Sequence, residues 1–208
     1  MLKLFQIFLI PVFFIYLSGC TNVINKKLEK NIVDNKSIIE NYIPVNSLEK
    51  AAYNQIGVVL EYDRSNGYYA GGNPPEYTGV CSDVVVRALQ KIGYDLQEKI
   101  FLDIKRNPDL YSDIPDKNIN HRRVKNLLVY FENSKDFIKL PNDSDWQAGD
   151  IITYKQIPGR LWHTGIVSDL KTKNGIPMLI DNHGYGTNIR ISIYDWKSDI
   201  SGHFRFKE

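Results

Sequence analysis

The sequence predicts an α+β domain in which helices come first and an antiparallel sheet closes the chain. Two observations carry that reading. Between Asn46 and Glu132 apolar residues recur three and four apart, the period of a helix with one buried face. Beyond Asp150 the period drops toward two, in short runs rich in Ile, Val, Thr and Phe, separated by turns such as Pro158-Gly159 and Asn174-Gly175. With 43% hydrophobic and 24% charged residues in 208, there is enough apolar material for a core, which excludes a fully disordered or collagen-like chain. The 26 basic and 24 acidic residues leave a net charge of +2, too weak a field to suggest nucleic acid as a partner.

Residues 1–20 read as an address rather than as part of the fold. Lys3 gives a short positive start, and an apolar run from Leu4 to Leu17 follows, interrupted by Gln6 and Pro11. At ~1.5 Å per residue this run is too short to cross ~30 Å of hydrocarbon as a helix. The small pair Ser18-Gly19 completes a secretory signal pattern. Leu17-Ser18-Gly19-Cys20 resembles a bacterial lipobox, which implies cleavage before Cys20 and a lipid on its thiol. An ordinary signal peptide with Cys20 as a bystander is the alternative. Thr21 stands where an aspartate would suggest inner-membrane retention in a Gram-negative cell. The expectation is therefore an extracytoplasmic protein anchored to a bacterial membrane, the outer membrane in a Gram-negative organism. Residues 21–45, rich in Asn, Lys, Ile and Glu, read as a tether in which Lys26–Glu40 forms a frayed helix.

The folded domain is expected over 46–208, as a monomer. Asn46 with Glu49 three on forms an N-cap signature, and Leu48, Ala51, Ala52 and Ile56 make a helical stripe ended by Gly57. Glu61–Thr78 is loop-like, with Gly67, Gly71, Gly72, Pro74 and Pro75. A second helix runs from Cys81 to Ile92 with Gly93 as its stop, and a third from His121 to Glu132 on the stripe Val124, Leu127, Leu128 and Phe131. Strands follow at Asp150–Tyr154, Thr164–Val167, Met178–Asp181, Arg190–Ile193 and His203–Phe206, with His203 alternating outward from Phe204 and Phe206.

Cys81 is the one cysteine left if Cys20 carries a lipid. It opens a helix after Thr78-Gly79-Val80, and a helix N-terminus presents free N–H groups and positive potential, which favour a thiolate and can receive an oxyanion. A cysteine packed as a small hydrophobe is the alternative. His163 starts a strand, half exposed by its position, and Asp181 ends the next one. If the two strands pair, their ends bring imidazole and carboxylate together, fixing the tautomer so that the ring can serve the thiol. His183 shares the face of Asp181, whereas Asn182 points the other way. The four histidines, His121, His163, His183 and His203, lack a paired spacing such as His-x-x-x-His, so neither a metal nor another cofactor is expected.

Taken in order, Gln55-Ile56-Gly57, Tyr68-Tyr69-Ala70-Gly71-Gly72-Asn73-Pro74, Val80-Cys81-Ser82-Asp83, Ala148-Gly149-Asp150-Ile151-Ile152 and His163-Thr164-Gly165-Ile166-Val167 resemble the NlpC superfamily of papain-like cysteine peptidases. A closer resemblance is to the domain of unknown function 1287 family. It lies in Gly79-Val80-Cys81-Ser82-Asp83-Val84-Val85, Asn118-Ile119-Asn120-His121-Arg122-Arg123-Val124 and Gly202-His203-Phe204-Arg205-Phe206, and covers roughly Ala51 to Phe206. The resemblance implies a papain-like fold, Cys81 as nucleophile, His163 as base and Asp181 as the orienting residue. The superfamily often carries His, Asn or Gln at that third position. Tyr68 maps to a loop tyrosine near the thiol, and Ala70 stands where many members have an aromatic. The Asn120–Arg123 cluster has no counterpart in the broad superfamily. Two readings compete there: His121, Arg122 and Arg123 bind a substrate carboxylate, or they form a salt-bridged helix start in which an arginine pairs with Asp83.

The expected activity is hydrolysis of amide bonds in cell-wall peptides, with Tyr68, Asn182 and His183 supporting substrate or oxyanion. A non-catalytic wall-binding or scaffold lipoprotein, and an acyltransferase working through the same thioester, are the alternatives.

Overall fold

Asn46 starts the first helix: its side-chain oxygen accepts the Glu49 amide at 2.8 Å, satisfying a donor that a helix cannot pair internally. Helix α1 (Ser47–Tyr53) buries Leu48, Ala51 and Ala52. It stops short of Gly57, because Gln55 and Ile56 tighten into turns bonded three residues back, to Ala52 and Tyr53. In the computed structural model the described residues are 42–63, 65, 67–143, 145–155, 157 and 162–207. The signal, Cys20, residues 21–41 of the tether and the Pro158-Gly159 turn lie outside the described residues. Pro44–Glu208 form one compact unit. Among the described residues no helix is long and apolar enough to cross a membrane.

The loop after α1 contains a short parallel pair, β1 (Glu61–Tyr62) with β2 (Thr78–Gly79), which delivers the chain to Cys81. Helix α2 (Cys81–Lys91) buries Val84, Val85, Ala88 and Leu89, and Gly93 leaves it at φ 88°, a conformation that suits glycine. Helix α3 (Leu96–Arg106) was not expected. It is capped by Asp95, which accepts the Glu98 amide at 3.0 Å, and it buries Leu96, Ile100 and Ile104. The helix expected from His121 begins later: Asn120–Arg122 is a 3₁₀ turn, and α4 spans Val124–Asn133.

The remaining strands are β3 (Phe137–Lys139), β4 (Ile151–Lys155), β5 (Trp162–Lys171), β6 (Pro177–Asn182), β7 (Thr187–Ser192) and β8 (Ile200–Phe206). They form one antiparallel sheet in the order β3-β8-β4-β5-β6-β7. The domain is thus mixed helix and antiparallel sheet, as the change of period implied. The strands alternate between two buried faces. Ile151, Ile166, Ile180, Ile189 and Phe204 pack under the four helices, while Ile152, Tyr154, Val167, Leu179 and Ile193 form a second cluster flanked by Trp146 and Trp196.

That second cluster explains why His203 does not face solvent. It does alternate away from Phe204, but the face it reaches is itself covered. Its ring stacks on Trp146 at 4.2 Å and is held by Asp150 Oδ2 and the Pro141 carbonyl, each at 2.7 Å. Asp150, at the start of β4, also takes Arg205 Nε at 2.7 Å and the Gln147 amide at 2.9 Å, tying β8 to the turn that opens β4.

Candidate active site

Strand register places the first two polar groups. Ile166 of β5 stands opposite Ile180 of β6, so the next pair outward is Gly165 with Asp181, and His163 lies diagonal to Asp181 on the same face. Glycine at 165 matters for close approach: a Cβ there would sit 3.2 Å from the Asp181 Cβ and 3.1 Å from the Ile180 carbonyl oxygen. The Asp181 side chain uses that space to lean across the strand. His163 Nε2 donates to its Oδ2 at 2.6 Å, with His163 at 0% exposure and Asp181 at 1%. The ring is therefore fully buried rather than half exposed, because Trp196, Tyr154 and His183 close around it at centroid distances of 5.3, 6.2 and 5.2 Å.

Cys81 is the first residue of α2, a free thiol 4% exposed. The other ring nitrogen of His163, Nδ1, makes no hydrogen bond among the described residues, and Cys81 acts on the ring through its charge. Burial pushes the imidazole toward its neutral form. The charge of Cys81 and the hydrogen bond and charge of Asp181 outweigh that, raising the His163 pKa from 6.5 to about 9. At neutral pH the ring is thus an imidazolium between a carboxylate and a sulfur.

A buried ionic network holds the first turn of α2 in place. Asp83 closes the helix start by accepting the Val80 amide at 2.7 Å. Its two carboxylate oxygens also receive Arg122 Nε and Nη2, both at 2.8 Å. Arg122 Nη2 reaches Asp63 as well, at 2.9 Å, and Nη1 bonds the Gly67 carbonyl. Ser82 donates its hydroxyl to the Arg122 carbonyl at 2.6 Å. Of the two readings of the Asn120–Arg123 cluster, the structure selects the salt-bridged one for Arg122. Its guanidinium is consumed internally, because two buried carboxylates need a buried cation. Arg123 pairs with Asp113 at 3.5 Å on the surface. His121 is buried against the Gly72 carbonyl at 3.0 Å, and burial pushes its pKa down.

Asn182 points away from His163, as alternation requires. Its Nδ2 donates to the Glu61 and Gly79 carbonyls, each at 3.0 Å, so it locks the β1–β2 pair that leads into Cys81. Tyr68 is exposed, and its hydroxyl accepts Asn118 Nδ2 at 2.9 Å. A groove of about 660 Å³ runs beside β2, lined by Glu61, Tyr62, Asp63, Tyr69, Tyr77 and Tyr185 among others. Trp196 and Asp63 are the site's unforeseen members. Neither sits in a motif; they reach the site only through the tertiary fold.

His163, Asp181 and His183 each offer a ligand atom within 4.8 Å of the other two, a grouping able to hold a metal ion that sequence spacing did not reveal. With Cys81, His163 and Asp181 gathered at the start of one helix and the ends of two strands, the molecule is a mixed helix-and-antiparallel-sheet domain built around a buried Cys–His–Asp cluster. Comparison with known proteins gives its family. The domain of unknown function DUF1287 matches residues 49–206, and the chain belongs to that family. It is similar to the uncharacterized protein YijF of Escherichia coli K12, with 38% identity over 168 residues, covering 77% of this chain and 80% of that protein.

Proposed function

We propose that the protein is an extracytoplasmic, lipid-anchored thiol hydrolase that cuts amide bonds in cell-wall peptides, on a papain-like fold of the NlpC type. The observation that carries this reading is the placement of Cys81 at the start of α2, acting on a His163 whose opposite nitrogen is fixed by Asp181. In the reaction, the thiolate adds to the amide carbonyl while first-turn N–H groups of α2 receive the oxyanion. The His163 imidazolium gives its proton to the leaving amine, and the C–N bond breaks to leave a thioester. Neutral His163 then takes a proton from water as the water attacks the thioester. The free acid and the thiolate separate, and the thiolate–imidazolium pair is restored. Asp181 holds the ring in one orientation through Nε2 throughout.

The class of substrate rests on the motif resemblance and on the lipobox-like Leu17–Cys20, which would face the enzyme toward the wall. The groove beside β2 has the volume of a small-ligand site, large enough for a short peptide, and its Glu61 carboxylate suits an amine-bearing one. The test is to incubate purified muropeptides with the protein and with Cys81→Ala. New products from the native protein alone support the reading. Identical profiles from two folded proteins defeat it.

The burial of Cys81 and His163 favours one competing reading, a wall-binding protein that keeps the cluster as a closed polar core. Murein binding that survives Cys81→Ala, with no product from either protein, would select it.

A further inference from the structure

We propose that His163, Asp181 and His183 form a zinc-binding site, and that Zn²⁺ bound there silences the thiol chemistry. The three groups supply two imidazole nitrogens and one carboxylate oxygen, mutually within 4.8 Å. Zn²⁺ holds nitrogen ligands at about 2.0–2.1 Å and carboxylate oxygens at about 2.0–2.2 Å, so donors sharing one ion stand at most roughly 4 Å apart, and the 4.8 Å spread must close by side-chain rotation as the ion binds. This donor set suits Zn²⁺ better than Ca²⁺ or Mg²⁺, which take oxygen ligands. The rings are already oriented. His163 and His183 meet nearly edge to face at 82°, and Trp196 packs against both at 5.3 and 4.9 Å. His183 is only half buried and gives the cluster its side toward solvent.

Zinc would enter by replacing the proton shared between His163 Nε2 and Asp181 Oδ2, which are 2.6 Å apart. The proton is released to solvent, no electrons are transferred, and the fourth zinc position takes water. With zinc on Nε2 the ring keeps a single proton on Nδ1, so it is neither the imidazolium that protonates a leaving amine nor a base with a free nitrogen to take a proton from water. The silencing half rests on the hydrolase reading above. The binding half does not.

The experiment uses the metal-free full-length chain, with Zn²⁺ and Co²⁺ as probes. Zinc is titrated against a competing chelator in the native protein, Cys81→Ala, Asp181→Asn and His183→Gln, with thermal unfolding as the check on folding. One zinc per chain is expected in the native protein and in Cys81→Ala, with affinity reduced more than about tenfold in His183→Gln and Asp181→Asn. The cobalt form of the native protein should show tetrahedral visible bands without the near-ultraviolet thiolate charge-transfer band. The spectrum decides the donor set even if a variant fails to fold. Absence of saturable binding, an affinity loss in Cys81→Ala as large as in His183→Gln, or a thiolate band would overturn the site. Muropeptide cleavage abolished by zinc and restored by chelator supports silencing, and cleavage unchanged at saturating zinc removes it. If the metal-free protein cleaves nothing, the hydrolase reading and the silencing that depends on it both fall, while the titration still decides the site.

Discussion

The sharpest consequence of the site concerns the proton on His163. A rise from 6.5 to about 9 corresponds to roughly 3 kcal/mol in favour of the imidazolium, against a burial cost that acts the other way. The stabilisation has two sources, Cys81 and Asp181, and Cys81→Ala removes one without touching the sheet. NMR titration of ¹³C-labelled imidazole, with His163 assigned by its loss in His163→Asn, reads the midpoint directly. The native protein should titrate near 9, and Cys81→Ala lower, because Asp181 then opposes burial alone. The raised pKa also sets how stability follows pH. Below about 6.5 the ring is protonated in the folded and unfolded chains alike, and its contribution is complete; it drains away as pH rises through about 9. Between those limits the native protein should therefore lose more stability than Cys81→Ala does. A native midpoint near 6.5, or the same midpoint in both proteins, would refute a sulfur acting on this imidazole.

Arg122→Met strands the Asp63 and Asp83 carboxylates in the interior and should cost about 3–5 kcal/mol in urea unfolding; a loss under about 1 kcal/mol would mean the network is idle. Gly165→Ala brings a Cβ to 3.2 Å from the Asp181 Cβ and should cost about 1–3 kcal/mol in thermal unfolding, while slowing alkylation of Cys81 as Asp181 is pushed off His163. An unchanged alkylation rate would show that the lean of Asp181 across β5 is dispensable. Acid should unfold the protein through Asp63 and Asp150. Burial opposes their ionisation, yet Ser65 and Arg122 at the first, and Arg205 and His203 at the second, hold both below 3.8. Their contribution is present above about 3.8 and lost as pH falls through the lowered values, so Asp150→Asn should flatten the acid limb of a stability curve.

What the chain reveals before folding depends on how far its partners lie apart. Cys81 is legible because its signal is local: a glycine-bearing strand end runs straight into a helix stripe. Asp181 is legible at one remove, since pairing of two adjacent strands and the two-residue alternation together predict the diagonal to His163, which β5 and β6 adopt. Helix α3 also carried a local signal, the Asp95 cap and the spacing Leu96, Ile100, Ile104, but Phe101 and Leu102 fall off that narrow stripe and blur its period. The Asp63–Arg122–Asp83 network was visible only as a possible arginine-to-Asp83 pair. Arg122 and Asp63 are 59 residues apart, with no strand pairing to relate them. The His163–Asp181–His183 grouping is subtler still. No spacing rule for metal ligands spans such a gap, yet alternation puts 181 and 183 on one face, and antiparallel register brings 163 across to it. Ligand sets on paired strands should therefore be sought by register and parity rather than by linear spacing, and the zinc titration tests that rule as well as this site.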